Sequence, residues 1–179
     1  MHSKVSRAAE ARTPSGPPPK PENITACVMD RPRHKDIINE LNILGVNIKL
    51  ITDGDVSGAL LVTDEKYGVD IFLGIGGGPE GVLASAALDV FECNFQGRFL
   101  FHTEKDKRRA HKMGITNLTK KYELHEIVKG DSIFCATGIT TNEHVKGVVY
   151  NEGKFITETL VTCKNTLINV VKKEVLSLD

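Results

Sequence analysis

The sequence lacks tryptophan, has no excess of charge of either sign, and contains no apolar run long enough to cross a membrane. Lysine plus arginine and aspartate plus glutamate number 23 each, so no global basic field attracts nucleic acid or an anionic membrane. A bilayer-spanning helix needs roughly 20 apolar residues, and the N-terminus also lacks the apolar core of a secretory signal. We therefore expect a cytoplasmic protein with no nucleic-acid or membrane partner.

Cysteine is scarce and dispersed along the chain. The four cysteines form no CxxC pair, which argues against a zinc site or a disulfide framework. We predict reduced and mostly buried thiols, and a catalytic cysteine is the alternative interpretation. The positions concerned are Cys27, Cys93, Cys135 and Cys163.

Proline is concentrated at the N-terminus, where five of the seven prolines lie within residues 1–21. Because that segment shows no apolar periodicity, we predict a disordered Pro-rich leader over residues 1–21. The length of 179 residues fits a single domain with a core of ordinary size. We place that domain over residues 22–179.

Beyond the leader, the apolar pattern alternates between strands and helices. Strands are predicted at 24–29, 46–51 and 69–73, and helices at 34–44 and 56–62. This alternation favours an α/β fold with a mostly parallel sheet and flanking helices. Ligands of such sheets lie beyond the carboxyl ends of the strands, so the turns that follow the three strands are the candidate sites.

The pattern is weaker in the second half of the chain. It predicts a strand at 97–102, a charged helix at 104–113 and a strand at 132–136. The segments 145–150 and 154–161 flank Asn-Glu-Gly, which is typical of a hairpin.

The first candidate turn is Asp30–His34, where two arginines flank Pro32. The guanidinium groups of Arg31 and Arg33 can clamp one phosphate, because each presents a planar fork of donors. The alternative is an exposed basic turn ahead of a helix. For His34, at the start of a helix, we predict a capping or solvent contact, and a general acid or base is the alternative.

The second candidate turn is Asp53-Gly54-Asp55, which places two carboxylates around a glycine. Such a pair can coordinate a divalent cation or accept hydrogen bonds from sugar hydroxyls. Aspartate and glycine are also ordinary turn residues, and aspartate is a good helix N-cap. The pattern alone does not decide between these interpretations.

The third candidate turn ends the apolar segment Val69–Gly81, which reads VDIFLGIGGGPEG. Its glycines allow a ligand to approach the backbone closely, and Pro79 suits the first position of a helix whose free N–H groups attract anions. Glu80 can instead reach a metal ion. Residues 76–81 also match GxGxxG, but the proline and the lack of an acid about twenty residues later argue against a nucleotide-binding oxidoreductase.

In this order and spacing, the three turns and the later Ala-Thr-Gly-Ile-Thr at 136–140 resemble class II fructose-1,6-bisphosphatase, including the fructose/sedoheptulose bisphosphatases. The resemblance runs from Asn23 to the C-terminus. It implies the C-terminal part of the sugar-phosphatase fold shared with inositol monophosphatases. It also implies a cytoplasmic, homo-oligomeric hydrolase that uses manganese or magnesium and removes the 1-phosphate of fructose 1,6-bisphosphate in gluconeogenesis and glycerol metabolism.

The resemblance also implies roles for individual residues. Glu80 is expected to be a metal ligand, and the substrate contacts are expected at Arg31, Pro32, Arg33, Asp53, Gly54, Asp55 and Gly77. No catalytic residue is carried over, because most acidic ligands of the family lie in an N-terminal half that we expect this chain to lack. Lys4–Arg12 is interpreted as the remnant of a helix that precedes the first strand.

We accordingly expect the chain alone to have little or no phosphatase activity, since one carboxylate cannot hold two metal ions. The alternative function is a non-catalytic sugar-phosphate-binding fragment, or a subunit that needs a separate N-terminal partner.

Overall fold

The computed structural model describes residues 4–10, 18–163 and 166–176. Contacts divide the chain into two compact units, Met1–Lys129 and Gly130–Asp179. The sequence pattern instead suggests one domain over 22–179, because no proline- or glycine-rich linker marks the boundary near residue 130.

The first unit is built on a six-stranded sheet. β2 pairs in parallel with both β3 and β4, and β1 is antiparallel to its neighbours β4 and β5, so β2 to β5 all run in one direction. The predicted α/β fold with a mostly parallel sheet is thus confirmed. The spatial order is β3-β2-β4-β1-β5-β6, with β1 Lys4–Glu10, β2 Thr25–Met29, β3 Asn47–Ile51, β4 Ile71–Gly77, β5 Asn94–Leu100 and β6 Tyr122–Glu123.

Five helices accompany this sheet in the described part of the unit. They are α1 Lys35–Leu44, α2 Asp55–Leu60, α3 Gly78–Asp89, α4 Glu104–Lys112 and α5 Leu124–Ile127. Of these, α1, α2 and α4 lie close to the predicted bounds. Gly45 ends α1 with φ +75°, a left-handed conformation that glycine adopts without strain. None of the helices in the described ranges has the length and hydropathy that a membrane span requires.

The position of Lys4–Glu10 corrects the prediction for the N-terminal segment. This stretch is a strand inserted between β4 and β5, not part of a disordered leader and not the remnant of a helix. The pattern fails here because a strand paired on both sides owes its structure to distant partners. Residues 1–3 and 11–17 of the predicted leader lie outside the described residues.

Helices cover both faces of the parallel strands. On one face, Ala26 and Val28 of β2 pack with Leu41 of α1. On the other face, Gly58 of α2 lies so close to the sheet that an added Cβ would be 2.8 Å from the buried ring of Phe72. β4 leads into α3, which packs against α2. The chain therefore leaves β2 and β4 toward opposite faces, and in α/β proteins the crevice between the carboxyl ends of two such strands is where ligands bind.

The second unit is an antiparallel sheet in the order β10-β9-β7, with β8 also pairing with β9. Glu152 and Gly153 join β8 to β9 with φ of +48° and +77°. Two consecutive positive φ angles are those of a type I′ turn, so the predicted hairpin is confirmed. The strands are β7 Ile133–Thr137, β8 Val149–Asn151, β9 Lys154–Cys163 and β10 Thr166–Leu176.

Candidate functional site

The three predicted turns lie at one edge of the sheet, because they follow the carboxyl ends of the parallel strands β2, β3 and β4. The turn after β2 is central and contacts both of the others. Arg31 approaches Asp53 in the turn after β3, and Arg33 donates a hydrogen bond to Ile75 of β4. Side-chain contacts therefore link Arg31 with Asp53, and Arg33 with the start of the glycine-rich turn.

Ile75 is held by two side chains of the turn after β2. Arg33 Nε donates to the Ile75 carbonyl oxygen at 2.5 Å. The Ile75 N–H donates to His34 Nε2 at 2.9 Å, and the other ring nitrogen of His34 lies 2.8 Å from the Met29 carbonyl oxygen. The ring of His34 is completely buried. It therefore makes neither the capping nor the solvent contact predicted for it, and both ring nitrogens are engaged by backbone.

The pairing of β2 with β4 explains this arrangement. Their ladder covers Ala26–Val28 against Ile71–Leu73 and then stops, since β2 ends at Met29 while β4 continues to Gly77. Backbone groups of β4 beyond the ladder need other partners. Arg33 and His34 supply them at Ile75, so the backbone groups of that residue are not left without partners.

Arg31 and Asp53 form a loose ion pair. Arg31 Nη2 and Asp53 Oδ1 are 3.9 Å apart, and their side chains are 42% and 93% exposed. An ion pair of this kind contributes little to stability. Both groups can therefore rearrange around a ligand at low cost.

The two carboxylates of the second turn have different environments. Asp53 is exposed and its Oδ1 accepts a hydrogen bond from the Gly54 N–H at 2.9 Å. Asp55 begins α2 and its Oδ1 is buried. Gly54 permits the change of direction with φ +88°. The turn thus exposes the Asp53 carboxylate to solvent and buries an oxygen of the Asp55 carboxylate.

The glycine-rich turn differs from its prediction in where the strand ends. β4 continues to Gly77 and α3 begins at Gly78, so Pro79 takes the second helical position. The Glu80 side chain folds back over Gly77, where an added Cβ would collide with Oε2. That oxygen is buried and accepts no hydrogen bond from the described residues. A buried acceptor without a donor is unfavourable, and a cation would satisfy it.

The same carboxylate disfavours a dinucleotide at the GxGxxG match. In that motif the second glycine of the match allows the backbone to meet a pyrophosphate at the helix N-terminus. The second glycine of the match is Gly78, and Glu80 places negative charge over the neighbouring Gly77, beside the position of the pyrophosphate. Repulsion between the two anions argues for a cation at this position.

The four cysteines differ in burial. Cys27 and Cys93 are buried, and burial raises the pKa of Cys93 to about 11, which keeps it a neutral thiol. Cys135 is exposed, so the prediction of mostly buried thiols is wrong for that residue, and Cys163 is half-buried. Among the residues described, no three His, Cys, Asp or Glu side chains are grouped to hold a metal ion.

The family match and the similar relatives of this chain point to the same protein family. Residues 5–174 match the family described as bacterial fructose-1,6-bisphosphatase, glpX-encoded. Two similar relatives are each named D-fructose 1,6-bisphosphatase class 2/sedoheptulose 1,7-bisphosphatase. The one from Synechococcus sp. (strain JA-3-3Ab) is 38% identical over 152 residues, and the one from Microcystis aeruginosa (strain NIES-843 / IAM M-2473) is 35% identical over 153 residues.

These alignments cover 78% of the chain but only 44% of each relative. The chain therefore spans less than half the length of the curated relatives it matches. The family match nevertheless includes all three strand-end turns. The chain belongs to the glpX-encoded family of bacterial fructose-1,6-bisphosphatases, the phosphatases of class II.

Proposed function

We propose that this chain provides the sugar-phosphate-binding part of a class II fructose-1,6-bisphosphatase, which removes the 1-phosphate of fructose 1,6-bisphosphate by metal-assisted attack of water. The observation that carries the proposal is the hydrogen bond from Arg33 to Ile75, which joins the arginine turn to the glycine-rich turn between the carboxyl ends of β2 and β4. An arginine fork beside a closely approachable backbone suits a phosphate ester. The proposal includes the C-terminal part of the sugar-phosphatase fold.

In this proposal the arginine turn binds the phosphate that is not cleaved. With Arg33 Nε donating to Ile75, four N–H donors remain on the terminal nitrogens of Arg33 for phosphate oxygens. Arg31 adds a second cation across Pro32. Asp53 lies beside Arg31 and supplies acceptors for sugar hydroxyls together with Asp55, and Gly77 meets the ligand through its backbone.

Glu80 fits one ligand position for manganese or magnesium. Its Oε2 is a buried oxygen to which no described residue donates a hydrogen bond, and oxygen ligands are those that these hard cations prefer. A bound ion supplies charge stabilisation at the phosphoryl oxygens and activates water. The described residues hold no cluster of three potential ligands, so we propose that the remaining ligands lie in the part of the relatives' length outside the match.

Glu80 is the single carboxylate proposed here as a metal ligand, and this favours a second candidate function. That function is a non-catalytic sugar-phosphate-binding fragment or subunit. Both functions use the same crevice and differ only in whether the metal ligands are completed. For the enzyme we further propose cytoplasmic gluconeogenesis and glycerol metabolism as the setting, and a homo-oligomer as the assembly.

Three measurements on the 179-residue chain test the proposal. Calorimetry is expected to show binding of fructose 6-phosphate, and NAD should leave the melting temperature unchanged. Phosphate release from fructose 1,6-bisphosphate with manganese should be near background. No binding of fructose 6-phosphate would contradict the proposed site, and release at the rate of a full-length relative would contradict the incomplete metal centre.

The Gly77→Ala variant separates folding from binding at this turn. Gly77 has φ −72° and ψ 151°, which alanine adopts freely, and only the flexible end of Glu80 blocks the new Cβ. The free energy of unfolding should therefore change by less than about 1 kcal/mol. Fructose 6-phosphate should bind about tenfold more weakly by calorimetry, because the methyl group blocks the backbone and displaces the carboxylate.

Glu80→Ala is the matched control for that variant. It removes the displaced carboxylate and leaves Gly77 open to the ligand. If Glu80→Ala reproduces the whole loss of affinity, the backbone of Gly77 does not contact the ligand.

A further inference from the structure

His34 is a buried titratable residue for which the family resemblance assigns no role. It follows Arg33 directly, yet its side chain is turned inward and is completely buried. Its two nitrogens join the end of β2, through the Met29 carbonyl, to β4, through the Ile75 backbone. The residue therefore bridges the two walls of the crevice.

The hydrogen bonds define one tautomer of the ring. Because the Ile75 N–H donates to Nε2 at 2.9 Å, Nε2 must carry a lone pair and no proton. The proton is then on Nδ1, which donates to the Met29 carbonyl oxygen at 2.8 Å. Nε2 also lies 3.1 Å from the Ile75 carbonyl oxygen, but two acceptors cannot bond each other. That oxygen takes its hydrogen bond from Arg33 Nε instead.

Ile75 is consequently fixed through both of its backbone polar groups. His34 holds its N–H and Arg33 holds its carbonyl oxygen, and both side chains come from one turn. Gly77 follows two residues later on the same strand. The distance between the arginine fork and the glycine backbone is thus set by two hydrogen bonds to a single residue.

We infer that His34 is a positioning residue for sugar-phosphate binding, and this inference rests on the proposed function. It touches no ligand and acts through Ile75. An apolar side chain of similar volume would fill the space but would leave the Ile75 N–H and the Met29 carbonyl without these partners. Loss of the acceptor at Nε2 frees the Ile75 N–H, and the wall of the crevice that carries Gly77 then loses its fixed distance from Arg33.

A pair of amide variants tests this role by calorimetry with fructose 6-phosphate. His34→Asn retains a donor near the position of Nδ1 but has no acceptor that reaches Ile75. His34→Gln can place its carbonyl oxygen near the position of Nε2. We expect about tenfold weaker binding for the asparagine variant and a change below about threefold for the glutamine variant. A merely structural role predicts that both variants, once folded, bind alike.

The tautomer gives a second readout that does not depend on a ligand. Nitrogen-15 spectra of histidine-labelled protein should show His34 as a neutral ring with its proton on Nδ1. A proton on Nε2 would overturn the inference, because that nitrogen could no longer accept from Ile75.

The outcomes also separate this inference from the proposed function. If the wild-type chain binds fructose 6-phosphate and both variants bind it equally well, only the positioning role fails. If the wild-type chain binds no fructose 6-phosphate, the proposed function fails and the positioning role fails with it, whatever tautomer is found.

Discussion

Replacing Arg33 with alanine is expected to weaken fructose 6-phosphate binding about 100-fold, with calorimetry as the measurement. The variant loses the donors proposed for phosphate, and charge-assisted hydrogen bonds of this kind are worth about 1.5 to 3 kcal/mol each. It also loses the bond from Nε to the Ile75 carbonyl, so the crevice wall is less well fixed. Both effects act on affinity in the same direction.

Two further variants show whether the planar shape of the Arg33 guanidinium or its positive charge accounts for the loss of affinity. Arg33→Lys keeps the positive charge but not the planar fork. Its affinity for fructose 6-phosphate should be no more than about tenfold higher than that of Arg33→Ala. Lys112→Ala removes one positive charge from the exposed end of α4 and should change affinity by less than about twofold. An equal loss in the Arg33→Ala and Lys112→Ala variants would reduce the proposed clamp to a general effect of net charge.

The second large effect concerns stability. Gly58→Val should lower the free energy of unfolding by about 3 kcal/mol, because overpacking a filled core costs roughly that much. A Cβ at this position would lie 2.5 Å from Ile51 Cδ1 and 2.8 Å from Phe72 Cε2. The isoleucine end can move, but Phe72 is fully buried and has little freedom to shift. Urea unfolding followed by circular dichroism measures the change.

Gly58→Ala provides the sharper test of the same contact because helix propensity and packing predict opposite signs. Propensity alone favours alanine over glycine in a helix by up to about 1 kcal/mol. We expect net destabilisation, since the clash with Phe72 outweighs that gain. In the double variant Gly58→Ala/Phe72→Leu, the loss in free energy of unfolding should be smaller than the sum of the losses in the two single variants. A Gly58→Ala protein more stable than wild type would show that α2 can move away from the sheet.

The parallel half of the first unit could be predicted from sequence because its strands are covered on both faces. Such strands read as short apolar runs between helices, and the observed β2 and β3 start within one residue of their predicted bounds and end at them. The carboxyl ends of these strands carry the polar turns. Their common location at one edge of the sheet then follows from the topology.

The glycine-rich turn could be predicted only in part. Its glycines predict a close approach to the backbone, and the start of α3 agrees with Pro79. The sequence places the end of the strand at Leu73, whereas β4 continues to Gly77 because β1 pairs with it up to that residue. Glycine has low strand propensity, so only a partner strand far away in the chain reveals this extension.

The role of His34 is not visible in the sequence. A histidine after Arg33 at the start of a helix is typically exposed, and nothing local indicates burial. Its environment depends on β2 ending three residues earlier along the shared register than β4. Register between distant strands is a tertiary property, and one sequence without relatives does not report it.

The insertion of β1 between β4 and β5 makes the order of synthesis differ from the order of assembly. Lys4 pairs with both Gly77 and Leu100, so β1 cannot complete its pairings until about a hundred further residues have been synthesised. Closing such long loops is entropically costly and slows folding. The parallel strands β2, β3 and β4 can meanwhile pair among themselves, and β1 then joins this preformed sheet to β5 as a late, non-local step.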